Sequence, residues 1–414
     1  MKTNITYRKE LLSDEILEKV RVTELQPATY PVLKSLHNEL KNVLENPINS
    51  KPFSALLQLK QPKTIAIAVP DDTSSVPIKD ILPLLLEHIF KALPRIESSC
   101  VKIIVGSGLQ SQPTIDNYHQ ALASAIAMGC DVSAHNSVTS EIMDLGKTHQ
   151  GTPVRVNKTF AQAEFKICIG QMDPHHMAGF IGSSEEATIG CAAYETIETA
   201  LGLSIGKTAG MGRIDGNPVR QDLDEIGRMI GLNFTINLVL NIDKKLIRVL
   251  AGLPESIFRQ GAKICADVCG VKIEHKFDIV VASCGSDLKN NYHLEKTFNL
   301  IAQVIQKGGK SLLLTALHQS IGDDIYFDHV CHDADPDTTL AAVKEFEHQM
   351  GPRNAYLFGK ASTDYNLQFD LNSTILNGCH LRAADPSTII KEWVNNYEKK
   401  PELAIMRNSN IYIK

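Results

Sequence analysis

Residues 165–201 read FKICIGQMDPHHMAGFIGSSEEATIGCAAYETIETAL, and the reading of this stretch decides the fold. Phe165–Ile169 is a continuous apolar run of strand length, and Gly170 is expected to end it. A loop with His175 and His176 follows, then Gly179, Gly182, Ser183 and Ser184, then a helix-like run. Ser183-Ser184-Glu185-Glu186 has the form of a capping box, with the Ser183 hydroxyl on the amide three residues on and Glu186 reaching back. A strand end that delivers two imidazoles and a glycine-rich turn to a helix N-terminus is where α/β proteins place ligands. An ordinary strand–turn–helix connection with solvated histidines fits the same letters.

Upstream, Thr64–Val69 (TIAIAV) is a strand candidate that runs into Asp71-Asp72-Thr73-Ser74-Ser75, and Ile78–Leu93 has helical apolar spacing. Val101–Val105 repeats the pattern, ending in Gly106-Ser107-Gly108-Leu109-Gln110 before a helix-like Ile115–Met128. Short strands near Val132 and at Pro153–Val156 lead to the opening stretch. This strand–loop–helix rhythm predicts a mainly parallel sheet covered by helices, which binds ligands beyond the carboxyl ends of its strands. Three loops fall there: Asp71–Ser75, Gly106–Gln110 and Asp173–Ser184.

Downstream, Gly210–Gly216 (GMGRIDG) does not directly follow a strand and reads as a plain loop rather than a dinucleotide fingerprint. Phe234–Leu240 and Leu246–Leu250 read as joined strands and Glu255–Val268 as a helix, with a domain boundary at Gly270–Glu274. The pattern then restarts with a strand at Asp278–Ala282, a helix at Leu294–Gln306 and a strand at Ser311–Thr315. A helix at Thr338–Met350 and a strand at Ala355–Phe358 follow, then a helix opened by Asp385-Pro386 and a strand at Leu403–Met406. The first sixty residues offer only helical spacing over Pro31–Leu44. The expected architecture is two α/β domains, residues 1–270 and 271–414, with mainly parallel sheets flanked by helices and a cleft between them.

Composition narrows the function classes. The chain has 414 residues, 43% hydrophobic and 21% charged, as in an ordinary globular protein. A net charge of -5 argues against a nucleic-acid partner, and no apolar run reaches bilayer length. The N-terminus MKTNITYRKELL lacks the apolar core of a signal peptide. Nine cysteines are scattered, only Cys265 and Cys269 sharing a helix face, which points to reduced thiols and a cytoplasmic location. The partner expected is a small molecule, and the oligomeric state is not encoded in these features.

Several residues could carry chemistry. Asp71 and Asp72 could accept hydrogen bonds from a ligand, bind a cation, or form an ordinary turn before Ile78. His175 or His176 could act as general acid or base, and an extended loop should point the two rings in different directions. Asp328–Asp337 (DHVCHDADPD) has zinc-type donors, crowded into one short segment unlike most structural zinc sites.

Taken together, ENPIN at Glu45–Asn49, DDTSSVP at Asp71–Pro77, GSGLQSQPT at Gly106–Thr114 and HHMAGFIGSSEEATIG at His175–Gly190 resemble the nickel-dependent lactate racemase family. DGNPVRQD at Asp215–Asp222, INLVLNIDKKLI at Ile236–Ile247 and YHLEK at Tyr292–Lys296 extend the resemblance in order and spacing. It implies two α/β domains around a cleft. It also implies a nickel-pincer nucleotide held on a lysine, with a histidine on nickel, and two histidines that shuttle the hydroxyl proton of a 2-hydroxy acid. Carried over by position, it implies catalytic roles for His175 and Lys296 and ligand contacts for Asp71, Gln110 and His293. Ser74 stands where that family has an arginine, Gln110 where it has the first shuttling histidine, and Ser111 where it has a basic residue. Glu185 takes the place of the tethering lysine and Leu201 that of the nickel-binding histidine, while His293 replaces a glutamine. A glutamate cannot make the amine link and a leucine cannot ligate nickel, so the expectation is a lactate-racemase-like protein that binds a 2-hydroxy acid or related polar acid. The same replacements argue against covalent cofactor attachment and against isomerase activity in its standard nickel-pincer form. The alternatives are a nickel-independent enzyme with His175 as acid/base, and a non-catalytic small-ligand-binding protein.

Overall fold

The chain divides after Ala28 and again before Gly270: Thr29–Cys269 forms one unit, and the two flanking stretches together form the other. The structure, a computed structural model, describes residues 12–71, 74–109, 115–205, 208–283, 292–314, 386–408 and 410–414. The helix expected at Thr338–Met350, the strand at Ala355–Phe358 and the Asp328–Asp337 segment lie outside the described residues, as do Asp72, Gln110 and Ser111.

Strand β1 (Arg21–Glu24) belongs to the flanking unit. The middle unit carries β2 (Ile65–Pro70), β3 (Val101–Gly106), β4 (Asp131–Ala134), β5 (Ile142–Lys147), β6 (Pro153–Asn157), β7 (Phe165–His175), β8 (Gly179–Ile181), β9 (Phe234–Leu240) and β10 (Leu246–Gly252). Its main sheet runs β10-β9-β7-β2-β3-β4, parallel throughout except where β10 returns antiparallel to β9. Every residue of β2 and of β9 is buried. Strands covered on both faces read as unbroken apolar runs, which is why the sequence showed them so plainly. The helix Ile78–Ala92 lays Ile81, Leu82, Leu85, Leu86 and Ile89 into this core, and Leu40, Leu44, Phe53 and Leu57 join it from the helices Leu36–Glu45 and Phe53–Lys60. The first of these starts at Leu36, later than the Pro31 expected, because the Ser35 hydroxyl accepts the Asn38 amide and caps it there.

Two expectations fail around β7. The strand does not stop at Gly170 but continues to His175, because it keeps pairing with β9 through Met172 and then takes β8 as an antiparallel partner. The run after Ser184 is not one helix either: a single wide π-type turn spans Glu186–Gly190, and the helix proper is Tyr194–Gly202. The ribbon β5–β6 has a largely solvent-facing first strand, so it lacked an apolar signature.

The flanking unit contains β11 (Gly270–Val271), β12 (Phe277–Ser283), β13 (Ile305–Leu314), β14 (Glu402–Met406) and β15 (Tyr412–Ile413). Its sheet, β1-β14-β12-β13, is wholly parallel. Leu12, Ile16 and Val20 pack with Ile279, Val281, Ile390, Trp393, Leu403 and Ile405, so the segment before Ala28 shares a core with residues nearly four hundred positions later. β13 begins at Ile305, ahead of Ser311, since its register with β12 shifts between Phe277 and Ile279 and lets pairing resume. Among the described residues no helix is long and apolar enough to cross a membrane. The six cysteines there are free thiols, with the Cys265 and Cys269 sulfurs 4.0 Å apart.

Candidate functional site

The carboxyl ends of β2 and β3 and the middle of β7 meet the turn Gly182–Gly190, at two glycines almost backbone to backbone. A Cβ on Gly106 would lie 2.9 Å from the Gly190 Cα, and the Gly108 amide donates to the Gly190 carbonyl at 3.2 Å. A Cβ on Gly170 would lie 2.7 Å from the Ser183 Cα and 3.0 Å from Glu186 Oε1. Only glycine allows these approaches, which set the turn against the end of β3 and the middle of β7.

Within that place the adjacent glutamates have opposite surroundings. Glu185 is buried, its Oε2 accepting the Gly182 amide at 2.6 Å and its Oε1 paired with the Arg220 guanidinium. Arg220 is itself buried, bonds Asp224 at 2.8 Å through its second terminal nitrogen, and stacks over Phe258 with its guanidinium carbon 4.1 Å from the ring centre. Burial pulls its proton affinity down, but the Glu185 and Asp224 charges outweigh that and hold it above the usual arginine value. Among the described residues no such cation stands beside Glu186. Burial, then the charges of Asp71 and Glu185, hold its carboxyl well above the usual carboxylate range. Asp71 follows β2 directly, and its carbonyl accepts the Ser74 amide at 3.3 Å.

This arrangement corrects the capping box. The Ser183 hydroxyl is buried with no hydrogen-bond partner, and the Ser183 amide donates instead to Asn237 Oδ1 at the middle of β9. The carboxylate that reaches back is Glu185, to Gly182, rather than Glu186. Capping-box spacing favours Glu186, but Glu185 reaches back in its place, paired with the buried Arg220 from the helix Pro218–Ile230.

His175 and His176 sit at the end of β7 and do not diverge as expected. Their rings stack with centroids 4.7 Å apart and planes at 27°. The turn back into β8 places Gly179 at φ 80°, with Arg213 of the GMGRIDG loop so close that a Cβ would fall 2.1 Å from its carbonyl oxygen. That loop is therefore structural: the Gly212 amide donates to the Gly179 carbonyl at 3.0 Å, and Asn217 Nδ2 to the Met177 carbonyl at 2.8 Å.

Asp71 and His175 thus both lie in the middle unit, at the ends of β2 and β7. Lys296 lies in the flanking unit on the helix Tyr292–Val304, half-buried, its ammonium donating to Asn410 Oδ1 at 2.7 Å. The backbone of His293 is on the same helix. Leu201 occupies the last turn of the helix Tyr194–Gly202. Arg220, Asn217 and Asn237 were not foreseen as organisers of the region. Arg220 and Asn217 fall inside the DGNPVRQD run and Asn237 inside INLVLNIDKKLI, so their segments stood out while their side-chain roles did not. Among the described residues no three His, Cys, Asp or Glu side chains gather as a metal site.

Residues 7–212 match the family model described as the lactate racemase N-terminal domain. The lactate racemase of Thermoanaerobacterium thermosaccharolyticum is 25% identical over 317 residues, spanning 75% of this chain and 73% of that protein. The lactate racemase of Lactiplantibacillus plantarum is 25% identical over 339 residues, spanning 80% and 79%. The solved structure of the Thermoanaerobacterium thermosaccharolyticum lactate racemase apoprotein shares the fold with a TM-score of 0.80 at 20% identity, covering 96% of this chain and 95% of that one. A protein from Thermotoga maritima shares it with a TM-score of 0.66 at 16% identity.

Proposed function

We infer a function from one premise, that the chain belongs to the lactate racemase family: it binds a small 2-hydroxy acid, or a related polar acid, without a covalently tethered nickel-pincer nucleotide. One observation carries this reading. Glu185, at the position the resemblance gives to the tethering lysine, has its carboxylate committed to Arg220 and to the Gly182 amide. The site has been rebuilt around a negative charge, with a buried cation supplied from the helix Pro218–Ile230. A covalently held cofactor does not fit these residues, and Leu201 has no donor atom to offer nickel. No step of a reaction is therefore routed through that group.

What remains suits acid binding at the carboxyl ends of the strands. The surviving polar groups are Asp71 and His175 there, with Gln110, His293 and Lys296 as further ligand contacts by family position. A second reading, an enzyme that works without nickel, is favoured by Glu186, since burial beside Asp71 and Glu185 raises its carboxyl well above the usual carboxylate range, as suits a proton donor. Coexpression with the enzymes that mature the family's cofactor, followed by intact mass and nickel analysis, tests the first reading. The unmodified mass without stoichiometric nickel is expected, and an added nucleotide mass overturns it. Lactate binding measured by calorimetry tests the ligand class, and interconversion of lactate enantiomers without nickel would establish the second reading.

A further inference from the structure

Directly after β4, His135 is fully buried and ties three segments together. Its backbone is fixed to β3 and the residues after it. The His135 amide donates to the Val105 carbonyl at 2.9 Å, and the Ser107 hydroxyl donates to the His135 carbonyl at 3.2 Å. Its ring reaches the other two segments. Nε2 lies 2.9 Å from the Ala192 carbonyl oxygen, and Nδ1 lies 3.3 Å from Asn157 Nδ2. Ala192 comes just after the turn Gly182–Gly190 and is bridged to Val156 of β6, so the ring pins the chain where it leaves that turn.

These contacts leave one place for the ring proton. A carbonyl only accepts, so Nε2 carries the proton and donates it. The orientation of the Asn157 amide is set by its other end, because Oδ1 accepts the Phe160 amide at 3.0 Å and caps the short helix Lys158–Gln162. Nδ2 therefore faces Nδ1 as a donor, and Nδ1 is bare. A second proton would set N–H against N–H, or turn Asn157 over and uncap the helix. Burial pulls the proton affinity of the ring down against the pull of the Ala192 carbonyl, and among the described residues no charged group acts on it. The charged groups of the surrounding segments are paired elsewhere: Asp131 of β4 with Lys102 of β3 at 2.8 Å, Arg155 of β6 with Asp144 at 3.1 Å and Glu195 at 3.9 Å, and Lys158 with Glu141 at 2.9 Å. Cys191, beside Ala192, is a thiol that burial holds well above the usual range.

We propose that His135 is a proton-operated latch on the turn Gly182–Gly190: the neutral imidazole holds the exit of the turn at Ala192, and the imidazolium releases it. Because the folded-state value is lowered, the hold is complete above the ordinary histidine range and is lost as pH falls below it. The latch needs no ligand, so it stands or falls separately from the acid-binding reading.

Hydrogen exchange of the full-length protein, corrected for the intrinsic pH dependence of exchange, measures the hold. The reporters are the Ala193 amide, which donates to the Arg155 carbonyl at 2.8 Å, and the Tyr194 amide, which donates to the Ser137 carbonyl at 3.1 Å. Lowering the pH from 7.5 to 5.5 should cut their protection roughly tenfold, the factor that linkage gives about one pH unit below the ordinary histidine value. His135→Gln keeps a donor and an acceptor without a titrating group, and should show no such loss. Asn157→Asp still caps the helix and offers the imidazolium a carboxylate, so it should also keep its protection at pH 5.5. Unchanged protection in the parent at pH 5.5 overturns the latch, and so does an equal loss in either variant.

Discussion

The two turns that follow β7 dispose of their polar groups in opposite ways. In the turn His175–Gly179 the imidazole Nδ1 and the Met177 carbonyl are both satisfied by backbone and amide donors, and a glycine contact locks the geometry. In the turn Gly182–Gly190 one carboxylate is fully paired, while the buried Ser183 and Thr188 hydroxyls lack partners. Glu186 is left among negative neighbours. The first turn is held by many neutral contacts and the second by one buried ion pair. The first is therefore the insensitive scaffold, and the second is the part whose state depends on charge.

Removing the ion pair's cation should produce the largest effect. Arg220→Met strands the buried Glu185 carboxylate and the half-buried Asp224 one, and should cost about 3–5 kcal/mol in urea unfolding. Adding Glu185→Gln to it should recover part of that loss, whereas simple additivity would mean that the pair does not hold the second turn. A smaller effect should come from the scaffold. Gly179→Ala forces a left-handed residue against the Arg213 carbonyl and should cost about 1–3 kcal/mol at every pH. A pH-dependent loss there would erase the distinction between the turns.

Glu186→Gln should give the smallest effect, with the opposite sign. The folded-state value of Glu186 is raised, so its contribution to stability is full below the unfolded carboxyl range and is lost as pH rises through the folded value. The neutral variant escapes that loss. Its unfolding midpoint should exceed the parent's at pH 8 and approach it at pH 4. A midpoint below the parent's at pH 8 would mean that the Glu186 charge is stabilising after all.

The sequence was legible where burial imposes pattern. Strands β2, β3 and β9 were found within a residue or so, because strands buried on both faces read as mainly apolar runs even with Lys102 in β3 and Thr235 and Asn237 in β9. Strand β1 was not, since RVTE has only four residues, and its partner Glu402–Ile405 supplies the reason for it to be extended. The site was legible as a meeting of loops and illegible as chemistry. The local spacing points to Glu186 as the residue that reaches back, whereas Glu185 does so, held by Arg220 thirty-five positions away. The facing of His175 was misjudged for a similar reason. An extended loop would part the two rings, but the strand pairing that continues to Gly179 brings them together.

The pairing of Arg21–Glu24 with Glu402–Ile405 also sets an order of events at the ribosome. The middle unit has all of its strands once Cys269 has emerged, and its contacts are among residues already made. The early segment holding Ile16 and Val20 has to wait for β14, with its apolar face uncovered, for roughly tens of seconds at usual synthesis rates. A sheet assembled from segments nearly four hundred positions apart thus closes only after β14 has been made. A product cut short before β14 would retain the strand-end loops of the middle unit and leave β1 and the helix Asp14–Lys19 without the partners that cover them.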